Sequence, residues 1–276
     1  MIEASVNAAI EDFRRLHESG CFVIPNPWDA GSARYLRHLG FEALATTSAG
    51  FAFSLGRPDT AVPVDTVLQH VASIVRATDL PVNADFESGY AADPEGVARN
   101  VARCAATGVA GLSIEDSTGD SQQPLYDLPR AVERVRAARR AIDESKTGVL
   151  LTARAECYLT GHPDALREAI RRLTAYAEAG ADVLYAPGPR SREDIQAIVS
   201  AAAPKPVNVL MSANTGLRVA DLAKLGVRRI SVGSSLARTA WTGFVRAAKL
   251  IAQEGSFAGF EDTIPFAELN AFFRDE

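Results

Sequence analysis

Arg103-Cys-Ala-Ala-Thr-Gly108 running into Val109-Ala-Gly-Leu-Ser-Ile-Glu115 reads as a helix that stops at glycine and passes at once into a short apolar strand. Glycine suits that junction because the residue just past a helix often takes the left-handed conformation. The same signature recurs at Tyr35–Gly40 into Phe41–Thr47, Tyr176–Gly180 into Ala181–Ala186 and Leu222–Gly226 into Val227–Val232. Four further apolar runs bounded by turn residues, Cys21–Pro25, Pro81–Ala84, Val149–Ala153 and Val207–Met211, bring the predicted strands to eight. Helices are predicted between them at Ala30–Leu39, Pro63–Ala77, Pro94–Ala106, Leu128–Glu144, Pro163–Ala179, Ser191–Ala202, Arg218–Leu225 and Ser235–Gln253. Apolar strands alternating with helices imply a parallel sheet covered on its outer face, and eight such units close into an α/β fold of the (β/α)8 TIM barrel type. An open doubly wound sheet is the alternative. No linker divides the units, so residues 1–255 are expected to form one catalytic barrel. Residues 256–276 form a tail, in which Ile264–Phe273 predicts an apolar helix that packs on a neighbouring subunit.

The chain has 276 residues, 47% hydrophobic and 23% charged, which excludes disordered, collagen-like and coiled-coil classes. Its net charge of −5 offers no footprint for nucleic acid or an anionic membrane. The uncharged run Ala43–Gly56 is too short and too rich in Thr, Ser and Gly to span a bilayer. The start, Met1-Ile-Glu-Ala-Ser-Val-Asn7, lacks the features of a secretory leader, and a cytoplasmic location is expected. Cys21, Cys104 and Cys157 are too scattered for a disulfide framework or a closed zinc site and read as idle thiols.

Chemistry in such a barrel sits where the strands finish. Asp85 and Glu87 are two residues apart at the end of the third strand and share a face; Glu115 ends the fourth. Hard oxygen donors without His or Cys suit Mg2+ or Mn2+, while helix capping or pairing with arginine would explain the same acids. Arg154, near the end of the apolar fifth strand, is either the partner of Glu115, Asp116 or Glu156 or a fork for a substrate carboxylate. Ser48-Ala49-Gly50 offers either a nest of backbone N–H groups or a plain turn. His17, His38 and His70 fall in helices or packing positions, and only His162 is placed to reach the mouth. Gly233-Ser234-Ser235 opens the last helix as a phosphate cradle or an ordinary serine cap.

Six motifs in order resemble the isocitrate lyase and phosphoenolpyruvate mutase superfamily. They are Asn26–Ala33, Thr47–Ala52, Gly56–Asp59, Pro81–Tyr90, Gly111–Asp116 and Thr152–Glu156. The resemblance implies a Mg2+-dependent lyase acting on a small 2-oxo acid or dicarboxylate through a pyruvate-type enolate. Asp85 matches the direct metal ligand, Glu87 and Glu115 the carboxylates that hold the metal's waters, and Asp59 an assisting acid on a gating segment. Ser48, Ala49 and Gly50 match the triplet that binds the pyruvyl carboxylate and carbonyl, and Arg154 the arginine that orients substrate. Asn208 is placed with the substrate contacts. The resemblance also implies a homodimer or homotetramer with swapped helices.

Departures narrow the reaction. The lyases carry a Lys-Lys-Cys-Gly-His-type loop whose cysteine is the general acid, whereas this chain reads Ser117-Thr-Gly-Asp-Ser-Gln-Gln-Pro124. The lid Lys and Asn of mutases and phosphonopyruvate hydrolases are missing as well, and strand six offers Tyr185-Ala-Pro187 in place of a Glu or His. Tyr185, Asn208, Cys157 and His162 remain as acid or base candidates. Carbon–carbon cleavage next to a 2-oxo acid is the leading expectation; phosphorus–carbon chemistry and a catalytically silent 2-oxo-acid binder are the alternatives.

Overall fold

The computed structural model describes residues 2–275. In chain order the elements are α1 (Ile2–Glu18), β1 (Phe22–Ile24), α2 (Ala30–His38), β2 (Leu44–Ala45), α3 (Ser48–Ser54), α4 (Val64–Arg76), β3 (Val82–Asp85) and α5 (Pro94–Ala105). There follow β4 (Gly111–Glu115), α6 (Leu128–Ser145), β5 (Leu150–Arg154), α7 (Ala165–Glu178), β6 (Val183–Tyr185), α8 (Arg192–Ala202), β7 (Val207–Leu210), α9 (Val219–Lys224) and β8 (Arg229–Ser231). The chain then continues as α10 (Ser235–Glu254), a 3-10 turn at Ala258–Phe260 and α11 (Phe266–Asp275).

All eight strands are parallel, in the order β1-β8-β7-β6-β5-β4-β3-β2. This is the (β/α)8 barrel the periodicity predicts, nearly closed. Among the described residues β1 and β2 share no ladder. Two hydrogen bonds cross that seam instead: Ala45 N–H donates to Pro25 O (3.0 Å), and Asn26 Nδ2 donates to Thr46 O (2.9 Å). Asn26 Oδ1 accepts from the N–H groups of Val232 and Gly233 at 2.9 Å, so one side chain ties the ends of β1, β2 and β8.

Helix starts follow their caps. Asp29, Asp93, Asp127 and Ser191 each accept from a first-turn amide, and Pro94 and Pro129 occupy first-turn positions where no donor is lost. Two helices escape the periodic reading. In α1 the stripe of Ile10, Phe13 and His17 is narrow and set among charged neighbours. In α3 the Ser48-Ala49-Gly50 triplet is the first turn of a helix capped by Thr47, whose Oγ1 accepts from Gly50 N–H (3.2 Å).

The chain divides into two compact units, one up to Ser234 and one from Ser235 onward. This division falls ahead of the expected one at residue 255, so α10 groups with the C-terminal segment. Only Ala237 of α10 is buried, and Trp241, Phe244, Phe257, Phe260 and Phe266 are exposed. No helix among the described residues is long and apolar enough to cross a membrane.

In the first unit the strand residues facing outward, such as Ala84, Leu112, Ile114, Leu151, Ala153, Leu184, Val209 and Ile230, are apolar and buried. The inward set is polar to an unusual degree: Asn83, Ser113, Thr152, Asn208, Arg229 and Ser231 are all buried. Beneath them α1 supplies an aromatic plug. The His17 ring sits edge-on to Phe13 (4.6 Å) and to Phe22 (5.1 Å). A Cβ on Gly111 would meet the Phe13 ring at 2.6 Å and Asn83 Oδ1 at 2.7 Å, so that strand position requires glycine.

Burial and the Arg229 charge push His17 down to about 3, and burial pushes His70 down to about 4. Both are neutral in the fold, whereas in the unfolded chain they bind a proton near pH 6.5. Stability from this source is therefore present above pH 6.5 and is lost as pH falls through 6.5 toward the folded-state values, by about 1.5 kcal/mol per histidine between pH 6.5 and 5. Urea unfolding of His17→Gln should show a shallower decline over this interval than wild type; parallel curves would contradict the buried neutral imidazole.

Candidate active site

A cavity of about 320 Å³ opens at the carboxyl ends of the strands. Its walls are the inward alternates of the barrel: Ile24, Ala45, Asn83, Asp85, Ser113, Glu115, Arg154, Tyr185, Asn208, Arg229 and Ser231. Ser48, Ala49, Asp59, Glu87, Ser117, Glu156 and Ser234 complete the mouth. Five carboxylates therefore share one chamber with two guanidinium groups, and neither His nor Cys lines it.

Register brings the charges together. Asp85 pairs with Ser113 on β4, Glu115 with Arg154 on β5, and Arg154 with Tyr185 on β6. Arg154 Nη1 lies 2.8 Å from Asp85 Oδ1 and 3.1 Å from Glu115 Oε2, while its Nε and Nη2 both reach Glu156 Oε1 at 2.9 Å. Burial opposes its charge, but Glu115, Glu156 and Asp85 hold the guanidinium firmly cationic. Of the partners expected for Arg154, Glu115 and Glu156 are present, Asp85 is added, and Asp116 is bound elsewhere.

Asp85 is held from its other side. Its Oδ2 accepts from Ser48 N–H (3.0 Å) and Ser48 Oγ (2.9 Å), and its own N–H donates to Thr46 Oγ1 (2.9 Å). Ser48 N–H is thus engaged with Asp85 and Gly50 N–H with the Thr47 cap. Gly50 is buried and does not line the cavity, whereas Ser48 and Ala49 do.

Glu87 follows β3 in a left-handed conformation (φ 46°), and Tyr90 closes the turn at φ 55°. The Tyr90 hydroxyl donates to Glu87 Oε1 at 2.8 Å. Arg134 of α6, fully buried, clamps this loop by donating to the carbonyls of Ser88, Ala91 (2.7 Å) and Ala92 (2.8 Å). A second brace centres on Asp116. Its Oδ1 accepts from Glu156 N–H (2.8 Å), and its Oδ2 from Arg172 Nη1 (3.0 Å) and the Tyr176 hydroxyl (2.6 Å). Arg172 also donates to Tyr126 O (2.9 Å), at the foot of the loop Ser117–Tyr126, which keeps polar residues and Gly119 and reads as a closing lid over the mouth. That lid is a hairpin-like loop with a single bridge between Ser117 and Leu125. Arg134, Arg172 and the floor residue Arg229 were not read as site residues from sequence.

The acids are crowded. Burial pushes Glu87 up to about 7, with Asp85 and Asp59 adding to the rise. Glu115 is raised well above the ordinary carboxylate range by burial and by Glu156, Asp85 and Glu87, and Glu156 is raised by burial and Asp116. Asp59, on the exposed segment 54–61, is raised by partial loss of solvent and by Asp85. This excess of negative charge suits a hard divalent cation, and every donor is oxygen. No three acids converge as a cage among the described residues. The donor set fits Mg2+ held through one carboxylate with its waters retained, the coordination that ion favours.

Asn208 lines the cavity, donates from Nδ2 to Ser231 Oγ (2.9 Å), and accepts from Arg229 Nε (2.8 Å). Tyr185 also lines it, its ring 5.1 Å from the Arg154 guanidinium carbon, and burial pushes its phenol up to about 12. Cys157 and His162 do not line the cavity. Gly233 and Ser234 do, with the Gly233 amide spent on Asn26.

Known proteins share this arrangement of chain. A crystal structure from Burkholderia cenocepacia J2315, described only as a lyase/mutase, is 46% identical with TM-score 0.94, covering 98% of each chain. The oxaloacetate decarboxylase of Paraburkholderia xenovorans (strain LB400) is 33% identical over 230 residues, 80% of this chain and 73% of that protein. The structure of 2,3-dimethylmalate lyase, a PEP mutase/isocitrate lyase superfamily member, has TM-score 0.83 at 26% identity, covering 99% of this chain and 94% of its own. The family model for phosphoenolpyruvate phosphomutase matches residues 13–252. The chain belongs to that family, within the PEP mutase/isocitrate lyase superfamily.

Proposed function

We propose that this protein is a Mg2+-dependent lyase that breaks the carbon–carbon bond next to a 2-oxo acid, with a small oxaloacetate-like or substituted malate-like dicarboxylate as substrate. The observation that carries the reading is the ring of Asp59, Asp85, Glu87 and Glu115 around Arg154 in one partly desolvated chamber. Relatives that act on oxaloacetate and on dimethylmalate support the same class of chemistry.

In this reading Asp85 would hold the ion directly, Glu87 and Glu115 would hold its waters, and Asp59 would assist from the mouth; Mn2+ would serve in the same donors. When bound there, the ion would supply electron withdrawal at the 2-oxo carbonyl. The Ala49 amide, at the start of α3, receives an oxygen of the substrate's carboxylate or carbonyl, and the Ser48 hydroxyl turns from Asp85 to a second such oxygen when Asp85 takes up the ion, with Gly50 shaping that turn from behind. Arg154 fixes the orientation of those oxygens and bridges Asp85 and Glu115, and Asn208 contributes an amide at the opposite wall. The Ser117–Tyr126 loop, pinned at its foot by Arg172, closes the mouth and excludes water.

The chemistry is tested by following pyruvate formation from a panel of 2-oxo and 2-hydroxy dicarboxylates and phosphonopyruvate at saturating Mg2+. Turnover of a dicarboxylate is expected. Turnover of phosphonopyruvate alone would transfer the protein to phosphorus–carbon chemistry, and metal-dependent thermal stabilisation without turnover of any compound would make it a binder.

Asp85→Asn keeps the shape of the side chain and removes its charge. Calorimetric Mg2+ affinity should fall by at least about tenfold while the melting temperature stays within a few degrees; unchanged affinity would discard the ligand assignment. Arg154→Lys loses the planar fork that bridges three carboxylates, so pyruvate affinity should weaken by about tenfold or more. Equal affinity would remove Arg154 from substrate orientation.

The exposed aromatic residues of α10 and the segment after it support a homodimer or homotetramer in which these helices are covered by a neighbouring subunit. Light scattering after size exclusion should give two or four chains per particle. A monomer at micromolar concentration would contradict it.

A further inference from the structure

The two arginines of the cavity differ in their company. Arg154 is surrounded by three carboxylates, whereas Arg229 at the start of β8 meets only neutral atoms. Its Nε donates to Asn208 Oδ1 (2.8 Å), its Nη2 to Thr152 Oγ1 (3.0 Å), and its Nη1 approaches His17 Nε2 (3.4 Å). His17 Nδ1 lies 2.7 Å from Phe13 O, so it carries the proton and Nε2 offers a lone pair. No acid among the described residues lies within ion-pair distance of Arg229. The side chain is 3% exposed and lines the cavity. Two of its five N–H groups are left over from these three contacts.

A guanidinium taken out of water without an anion is costly, and a fold of neutral residues would be more stable. Burial pulls Arg229 down to about 10, which still leaves it charged at neutral pH. Depth fixes its place relative to the rest of the site. Its Nη2 reaches Thr152, two residues before Arg154 on β5, and its Nη1 approaches His17 of the plug, so the Arg229 guanidinium lies deeper in the barrel than the acid cluster. Around it the cavity presents Asn83, Ser113 and Ser231, amide and hydroxyl groups in place of the branched apolar residues usual for a barrel interior.

We propose that Arg229 is a second anion seat at the floor of the cavity, which takes the carboxylate of a dicarboxylate substrate remote from its 2-oxo end. The seat makes Arg229 a specificity determinant: a 2-oxo monocarboxylate leaves the buried cation unpaired, and a dicarboxylate pairs it. This rests on the reading of the cavity as a metal-dependent 2-oxo-acid site.

The test measures affinities of pyruvate, 2-oxobutyrate, oxaloacetate and 2-oxoglutarate for the magnesium-loaded protein, as dissociation constants or, where turned over, as KM. In the wild type the better dicarboxylate should bind on the order of 100-fold more tightly than the better monocarboxylate. Arg229→Gln should erase that preference with pyruvate affinity changed by less than about threefold, and Arg229→Lys should restore part of it. A purely structural arginine predicts a lower melting temperature with all four affinities moving together, and that result, or a wild type without preference, overturns the seat. If none of the four binds wild type, the 2-oxo-acid reading falls and the seat falls with it. Should Arg229→Gln fail to fold, a crystal structure of the magnesium-loaded wild type with the tighter dicarboxylate decides. A carboxylate oxygen within about 3 Å of an Arg229 nitrogen supports the seat, and a distal carboxylate turned elsewhere refutes it.

Discussion

Like charges gathered around one guanidinium govern the upper half of this barrel. Asp85, Glu115 and Glu156 converge on Arg154 from three strand ends, and Glu87 and Asp59 stand within electrostatic reach of Asp85. One cation does not balance five acids, and the imbalance appears as carboxyls held above their ordinary range. A collection of that kind is a poor device for stability, because replacing buried ion networks by apolar residues is often neutral or stabilising. Its persistence is understood if the missing positive charge arrives with a divalent ion and its ligand.

Much of the rest of the structure serves to keep those acids from drifting apart. Arg134 donates from its two terminal nitrogens to three carbonyls of the loop that carries Glu87, and Asp116 joins β5, α7 and the foot of the lid through Glu156 N–H, Arg172 and Tyr176. Asn26 does comparable work at the seam, where the sheet lacks a ladder. Arg134, Asp116, Arg172 and Tyr176 stand behind the cavity wall and Asn26 lies in it, and each brace is a buried polar group whose hydrogen bonds hold it in one arrangement.

The barrel and the acids were legible for a simple reason. Strand residues two apart share a face, so Asp85, Glu115 and Arg154 had to point inward once their strands were assigned and their neighbours were apolar. The same rule applied to Arg229 on the eighth strand allows an inward guanidinium, but two adjacent arginines carry no mark of which one faces in. Only the fold separates the two, sending Arg228 toward Gly20 O and Arg229 into the floor. Arg134 and Arg172 carry no local signal of a site: Arg172 reads as an ordinary helical pair with Glu168, and the contacts that make the two arginines braces, to Ser88, Ala91 and Ala92 and to Asp116, lie more than 40 positions away along the chain. The Ser48 triplet reads from sequence as either an oxyanion nest or a plain turn, and its helical start and the engagement of two of its amides depend on Thr47 and on Asp85 from another strand. The eighth helix matched the period of the others, and its grouping with the C-terminal segment follows from how little of α10 is buried.

The central claim is that this acidic chamber grips one hard divalent ion through Asp85. Crystals grown with Mg2+ and oxalate would test it most directly. The account predicts octahedral density bonded to one Asp85 oxygen and chelated by oxalate, with Glu87 and Glu115 facing its waters. Oxalate bound with no ion beside Asp85, or an ion ligated elsewhere in the barrel while Asp85 keeps its pairing with Arg154, would contradict it.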